Sequence, residues 1–393
     1  MSVAAAAPAS ALPNDLIAEL TAFRRDLHRH PEPGADTART AARIAERLEA
    51  AGLVVTRGVG GHGVVATLSR GAGRAVGFRA DMDALPIAEA TGLPHASTRP
   101  GAFHGCGHDG HSTMLLGAAL ALSADPGFAG TAHFIFQPDE ENGLGALAMI
   151  ADGLFDRFPM EAVYGLHNMP GLPAGTLAIQ SGPAMAFEDN FEIRVTGAGG
   201  HASAPHRAVD AIVAGAAVVG ALQTVVARGV DPDDFAVVSV TGFETDGARN
   251  VLASNVRITG DCRGYSVETR DLLRARMRMA AEGAAAAVGA RAEMTAAQSF
   301  APLVNRPGDA ALCLEAAEAA GLAVRPDHGR IGGAEDFAAM LAHRPGAMAF
   351  LGNGTEGPHG ASLHNPGYDF NDAAIPAGVA WWAALARRTC APG

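Results

Sequence analysis

The stretch Phe103-His104-Gly105-Cys106-Gly107-His108-Asp109-Gly110-His111 sets three imidazoles, one thiol and one carboxylate within nine positions. Singly, a cysteine is most often a small buried hydrophobe and a histidine a hydrogen-bonded structural residue. Clustered, with glycines that let backbone approach closely, these donors suit a transition-metal centre. Gln137-Pro138-Asp139-Glu140-Glu141 then puts two adjacent carboxylates just after an apolar run. At a strand end, neighbouring side chains point to different sides, so one glutamate can face a metal and the other substrate. The competing reading is a solvated acidic loop, which charge runs usually are. Gly165-Leu166-His167-Asn168 offers a further imidazole, as do Gly199 to His206 and Leu363 to Asp372, although the last two segments also read as plain loops.

The elements that must position these residues alternate. Helical spacing marks Leu16 to Leu27 and Ala38 to Leu48, the second ending at Ala51-Gly52. Strand-like runs at Val64 to Leu68, Ala75 to Phe78, Thr131 to Phe136 and Ala162 to Leu166 alternate with helical stretches at Ser112 to Ser123 and Gly143 to Ala151. That alternation predicts an α/β catalytic domain with a mostly parallel sheet flanked by helices, and polar residues fall just after its strands, where open sheets place their sites. Beyond Gly182 the pattern changes. Strands at Phe187 to Val195, Phe235 to Gly242 and Asn255 to Arg263, with helices at Ala208 to Ala227 and Val267 to Val288, predict a smaller α+β unit. The first pattern resumes after Phe300, so the expected division is 1–182 with 298–393, and an inserted 183–297.

With 393 residues, 48% of them hydrophobic and 18% charged, the chain is expected to fold around two cores. A net charge of −12 argues against nucleic acid or an anionic membrane as partner. There is no lysine, so all 29 basic residues are arginine. Schiff-base enzymes, Walker P-loops, Ser-Lys hydrolases and protein kinases each require one and are excluded. Cys106, Cys262, Cys313 and Cys390 form no CxxC pair, which points to a reducing compartment, by default the cytoplasm. Met1 to Pro13 is Ala-rich, matches a signal peptide weakly and is expected to be a tail. The longest apolar run, Ala211 to Leu222, is too short to span a bilayer and reads as a buried helix.

Ordered along the chain, eight segments resemble the M20 metallopeptidase family, in particular its aminoacylases, hippurate hydrolases and auxin-conjugate hydrolases. They are His30-Pro31-Glu32, Arg79 to Pro86, Cys106 to His111, Gln137-Pro138 with Glu140-Glu141, Gly165 to Asn168, Gly200-His201 with Pro205-His206, Gly333 to Phe337, and His364-Asn365. The resemblance implies two divalent metal ions (Zn, Mn, Co or Ni) on Cys106, His108, Glu141, His167 and His364, with Glu140 as general base for metal-activated water. It makes Asp81 and Asp109 candidates for orienting ligand imidazoles, although either could instead cap a helix, and leaves His104 and His111 near the site without a metal. It assigns His201 to the oxyanion of a partner subunit's site, in an inserted lid and dimerisation domain, and Asn250 and Arg263 to the substrate carboxylate. For Arg263 the alternative is an ion pair within its own domain. Gly105, Asp139 and Ala253 depart from the family pattern and bear on substrate fit.

The expected function is therefore amide hydrolysis of N-acyl amino acids by a homodimer or dimer-based oligomer. Two alternatives stay open. One is a dipeptidase or carboxypeptidase of the same family, separable by tolerance of a free α-amino group. The other is a non-catalytic metal-binding regulatory protein, against which the presence of Glu140 counts, since a binding module needs no base beside its metals.

Overall fold

The computed structural model describes residues 12–392, so the tail expected over Met1–Pro13 falls almost wholly outside the described residues. Two units emerge. The first is formed by the segments Met1–Gly182, Val304–Gly329 and Asp336–Gly393, so far as they are described, and the second by Pro183–Leu303 with Arg330–Glu335.

The first unit is built on an eight-stranded sheet. From edge to edge its strands are Val54–Val59, Gly63–Arg70, Gly130–Gln137, Ala75–Asp81, Ala162–Pro170, Gly346–Gly354, Thr176–Ala178 and Ala323–Arg325. The four central strands, from Gly130–Gln137 to Gly346–Gly354, run parallel. The pair Val54–Val59 and Gly63–Arg70 is antiparallel to itself and to its neighbour, and Thr176–Ala178 is antiparallel to Gly346–Gly354. The central strands are almost continuously buried, as parallel strands covered on both faces must be. On one face Phe78 meets Phe134, Tyr164 and Trp382 at ring distances of 6.0, 6.2 and 5.7 Å. Trp382 belongs to the helix Ile375–Cys390, which packs beside His108–Ser123. On the other face Gly165 lies under Phe337, at the start of the helix Phe337–His343.

One boundary has consequences. The helix expected from Ser112 begins at His108, because Gly107 adopts a left-handed φ of 87° and starts the turn four residues early. A Cβ at Gly107 would also collide with Asn168 and the Tyr368 hydroxyl. His108, Asp109 and His111 thereby project from a fixed first helical turn rather than from a loop. The strand Val54–Val59 was not expected. It is an edge strand whose Val54 is exposed and whose apolar run is broken by Thr56, Arg57 and Gly58.

The second unit is a four-stranded antiparallel sheet, in the order Ala236–Thr245, Asn255–Gly264, Phe187–Thr196, Arg291–Phe300. Phe187, Phe191, Ile193 and Val195 point to one face, where the helices Ala211–Gly229 and Val267–Ala287 cover them. Asp210 and Ser266 cap these helices by accepting backbone N–H groups. By length and composition alone Ala211–Gly229 could cross a membrane. Its Ala211, Ala214, Val218, Leu222 and Val225 instead fill this unit's core.

Two glycines in helices should respond oppositely to alanine. At Gly110 a Cβ would drive into the Phe370 ring, whereas at Gly283 it meets open space. Gly110→Ala is expected to lower unfolding free energy by ~1–3 kcal/mol through overpacking. Gly283→Ala should raise it by ~0.5–1 kcal/mol, because the unfolded chain loses freedom. Denaturant melts of both variants check this, and shifts of the same sign would contradict it.

Candidate metal centre

The carboxyl ends of the central strands deliver Asp81, Gln137 and His167, and the loop ahead of the helix at His108 delivers Cys106. His364 arrives from the segment between Gly357–Gly360 and Asp372–Ala374, its backbone N–H bonded to the Gly105 carbonyl at 2.9 Å. The structure brings these side chains together. Ligand-type atoms of Cys106, His108 and His167 lie within 4.8 Å of one another, as do those of Cys106, Glu141 and His364, and those of His108, Glu140 and Glu141. Cys106 is thus common to a thiol-imidazole group and a thiol-carboxylate-imidazole group.

Hydrogen bonding fixes which nitrogens face inward. His167 Nδ1 donates to the Asn168 carbonyl at 2.6 Å, so its Nε2 keeps a lone pair, directed at Cys106 Sγ 3.4 Å away. Burial, and after it the neighbouring His111, push the His167 pKa well down, so the ring is neutral. His108 behaves differently. Burial opposes its charge, but the fields of Asp81 and Cys106 and the nearby Asp83 raise its pKa well above the usual value. His364 is pushed up to about 10 by hydrogen bonds to Cys106 and Glu141, the latter at 3.4 Å from Nε2. Glu141 is disfavoured as an anion by burial, yet His364 and His108 hold its pKa below the ordinary range. Burial raises the Cys106 thiol.

The fit to a cation rests on poorly paired atoms. Both ring nitrogens of His108 are shut off from water without a well-formed hydrogen bond, Nδ1 standing 3.4 Å from Asp83, and the equally buried Glu141 Oε1 has only the long 3.4 Å contact to His364 Nε2. Buried polar atoms are nearly always satisfied, so poorly paired ligand-type atoms converging among a thiol, imidazoles and carboxylates suit a metal cation. The residues fit a transition-metal cation.

Around this group sits a layer in which Asp81, His111 and Asp109 are well bonded. Asp81 Oδ1 bonds His111 Nδ1 at 2.6 Å, and the other face of that ring meets Asn168, so both His111 nitrogens are committed. Asp81 also takes Arg79 Nη1 at 2.9 Å, and the charges of His108, His111 and Arg79 overcome burial to keep its pKa well down. Asp109 faces Arg24 and His28 rather than a candidate ligand, and its Oδ1 accepts the Gly110 N–H. His104 is buried with both nitrogens unbonded, and burial lowers its pKa to about 3.

Sequence reasoning gave no role to Asp83, Arg79, Asp336 or Tyr368. Asp83 accepts the N–H groups of Glu140 and Glu141, Arg79 bonds Gln137, Asp81 and Asp336, and Tyr368 takes Asn168 Nδ2. A signal existed for two of them. Arg79, Asp81 and Asp83 are charges at alternate positions continuing a buried strand, which puts them on one face.

In the second unit, Gly200–His201 pairs with Val251–Leu252, and the Asn250 carbonyl accepts the Ala202 N–H, so His201 and Asn250 are neighbours. His201 Nδ1 accepts from the Ser203 backbone N–H at 3.1 Å, which leaves the ring proton of the neutral form on Nε2. Arg263 is engaged within its own unit, with Glu188 at 2.6 Å and Asp261 at 3.0 Å.

The model of Peptidase family M20/M25/M40 matches residues 77–388. The chain is 37% identical over 359 residues to an N-acetyl-L-cysteine deacetylase of Bacillus subtilis (strain 168), covering 91% of this chain and 85% of that one. It is 37% identical over 377 residues to a hippurate hydrolase of Campylobacter jejuni, covering 95% and 97%. Among solved structures it resembles a dinuclear metal-binding M20 peptidase of Bacillus subtilis, with a TM-score of 0.85, 31% identity and coverage of 96% and 100%.

His108, His364 and Cys106 all have raised pKa values and hold protons at neutral pH in the metal-free chain. A cation must displace those protons, so apparent affinity should rise with pH. Calorimetry in buffers of different ionisation enthalpy should report proton release, and affinity unchanged between about pH 6 and pH 8 would contradict the assignment. Cys106→Ala should weaken retention of zinc, and Cys313→Ala should leave it unchanged.

Proposed function

The chain belongs to peptidase family M20/M25/M40 and is a metal-dependent amidohydrolase, from which we propose that its substrates are N-acyl amino acids of the hippurate or N-acetyl-amino-acid type. The observation that carries this reading is Glu141 inside a group of ligand-type atoms with Glu140 beside it, in a chain whose relatives are named for cleaving such substrates.

Cys106, His108, Glu141, His167 and His364 would hold two divalent cations, which when bound polarise the amide carbonyl and acidify water. Zinc, manganese, cobalt and nickel all accept this mixture of donors. Glu140 takes the proton of the attacking water and returns it to the leaving amine. Its position is supported by its N–H on Asp83 at 3.1 Å and by the Asp336 N–H, 3.4 Å from Oε1. His201 donates Nε2–H to the carbonyl oxygen as negative charge builds there. Asp81 acts behind the site, holding His111. Asn250 and Arg263 take the substrate carboxylate, for which a guanidinium fork is suited, with Glu188 and Asp261 steadying Arg263.

His201 belongs to the second unit and is assigned to a partner subunit's site, making the working enzyme a dimer. Four free, buried cysteines fit a reducing, cytoplasmic setting.

An activity panel tests the substrate class: hippurate and N-acetyl amino acids should be hydrolysed, and dipeptides with a free α-amino group should be poor. Preference for free dipeptides would make the enzyme a peptidase. The two glutamates should fail differently. Glu140→Gln should keep its metal, read by mass spectrometry, while kcat falls ~10²–10⁴-fold. Glu141→Gln should lose metal, and the reverse pattern would exchange the roles.

The dimer makes a separate demand. Mixing inactive His201→Ala with inactive Glu140→Gln subunits should restore part of the activity, because one site of each heterodimer is then complete. Verified subunit exchange without recovery would return His201 to its own chain's site or remove it from catalysis.

A further inference from the structure

Adjacent glutamates with different tasks need their shared backbone held still, and the structure holds it from outside the pair. The Asp83 carboxylate, 1% exposed, accepts the Glu140 N–H on Oδ1 and the Glu141 N–H on Oδ2, each at 3.1 Å. Consecutive N–H groups diverge in a strand, and they converge on one anion when a left-handed residue bends the chain beside them. Asp139, immediately before the pair, has φ 58° and is one of two non-glycine residues with positive φ among the described residues. Its carbonyl closes the turn by accepting the N–H groups of Leu144 at 3.3 Å and Gly145 at 3.1 Å, and its side chain takes Asn142 Nδ2 at 2.6 Å. Aspartate tolerates this backbone better than most residues, and a β-branched residue does not.

We propose that Asp83 and the left-handed turn at Asp139 form a positioning device that fixes the Glu140–Glu141 backbone and so separates the tasks of the two carboxylates. This deepens the function proposed above and rests on it for what those tasks are. Both aspartates are positioning residues: Asp139 acts through the backbone of the pair, and Asp83 acts through that backbone and also beside His108, whose Nδ1 lies 3.4 Å from its Oδ1, so the Asp139 variants isolate the backbone effect. Displacing a reacting group by about 1 Å can cost ~10²-fold in rate, so loosening this peptide should reach kcat without altering the substrate contacts that set KM.

The test compares Asp139→Gly, which accepts the left-handed turn, with Asp139→Val, which resists it, and with Asp83→Asn, in zinc-loaded full-length protein. Hydrogen exchange at the Glu140 and Glu141 amides, bound zinc, kcat and KM are read for each. Asp139→Gly should stay within about twofold of the parent in exchange and kcat, although it too loses the Asn142 contact. Asp139→Val and Asp83→Asn should exchange these amides at least ~10-fold faster. Their kcat should fall at least ~10-fold with KM nearly unchanged. Protection retained in Asp139→Val overturns the proposal, as does equal loss in Asp139→Gly, which would move the effect from the turn to the Asp139 carboxylate. Should Asp83→Asn fail to fold, the two Asp139 variants decide alone. Exchange needs no substrate, so a parent enzyme inactive on N-acyl amino acids would sink the functional reading while leaving this test able to succeed or fail.

Discussion

Arg79, a guanidinium out of reach of water, bonds Gln137 at 2.8 Å, Asp81 at 2.9 Å and Asp336 at 2.9 Å. Each partner belongs to a different segment: the end of its own strand, the end of the neighbouring strand Gly130–Gln137, and the residue just ahead of the helix Phe337–His343. A buried charge is stable only while its partners stay in place, and removing one typically costs ~3–5 kcal/mol. The network runs on from Asp81 to His111, from His111 to Asn168, and from Asn168 to Tyr368. It therefore touches every segment that carries a ligand-type residue and ties those segments to one another.

Two layers that differ in how completely they are hydrogen-bonded result. The lower layer, from Arg79 to Tyr368, is closely bonded and has reason to be rigid. The upper layer, Cys106, His108, Glu141, His167 and His364, contains in His108 a buried ring without a well-formed hydrogen bond, and protons that a cation would displace. Such local conflict is costly in an ordinary core and belongs at a functional site. The backbone tells the same story. The two non-glycine residues with positive φ among those described are Asp139, beside the paired glutamates, and His364, so strain of about 1–3 kcal/mol each collects where the lower layer can support it.

The sequence exposed the upper layer more readily than the lower one. Cys106 and His108 lie in one dense motif, and Glu140 and Glu141 break an apolar run, so their types and spacing carried a chemical signal. Three of the four central strands were legible for a related reason, since burial on both faces makes them short, continuous apolar runs, whereas the equally buried Gly346–Gly354, interrupted by glycines and Asn353, was expected only as part of a resumed alternation. Edge elements gave no such pattern. Val54–Val59 is half exposed, and Thr176–Ala178 and Ala323–Arg325 have three residues each. The tie between Arg79 and Asp336 spans 257 positions, and the clamp of Asp83 on Glu140 spans 57, so no local spacing could reveal either. The early start of the helix at His108 depends on a backbone angle at Gly107 that composition only hints at.

A scaffold shaped by buried charge presents a thiol-imidazole-carboxylate cluster suited to divalent cations, on which hydrolysis should depend. Titrating chelator-stripped protein with zinc or manganese, while following both bound metal and hydrolysis of an N-acyl amino acid, tests it most directly. The account predicts no turnover in the stripped protein and activity that climbs with occupancy until about two equivalents are bound. Full turnover by protein verified to be metal-free would contradict it.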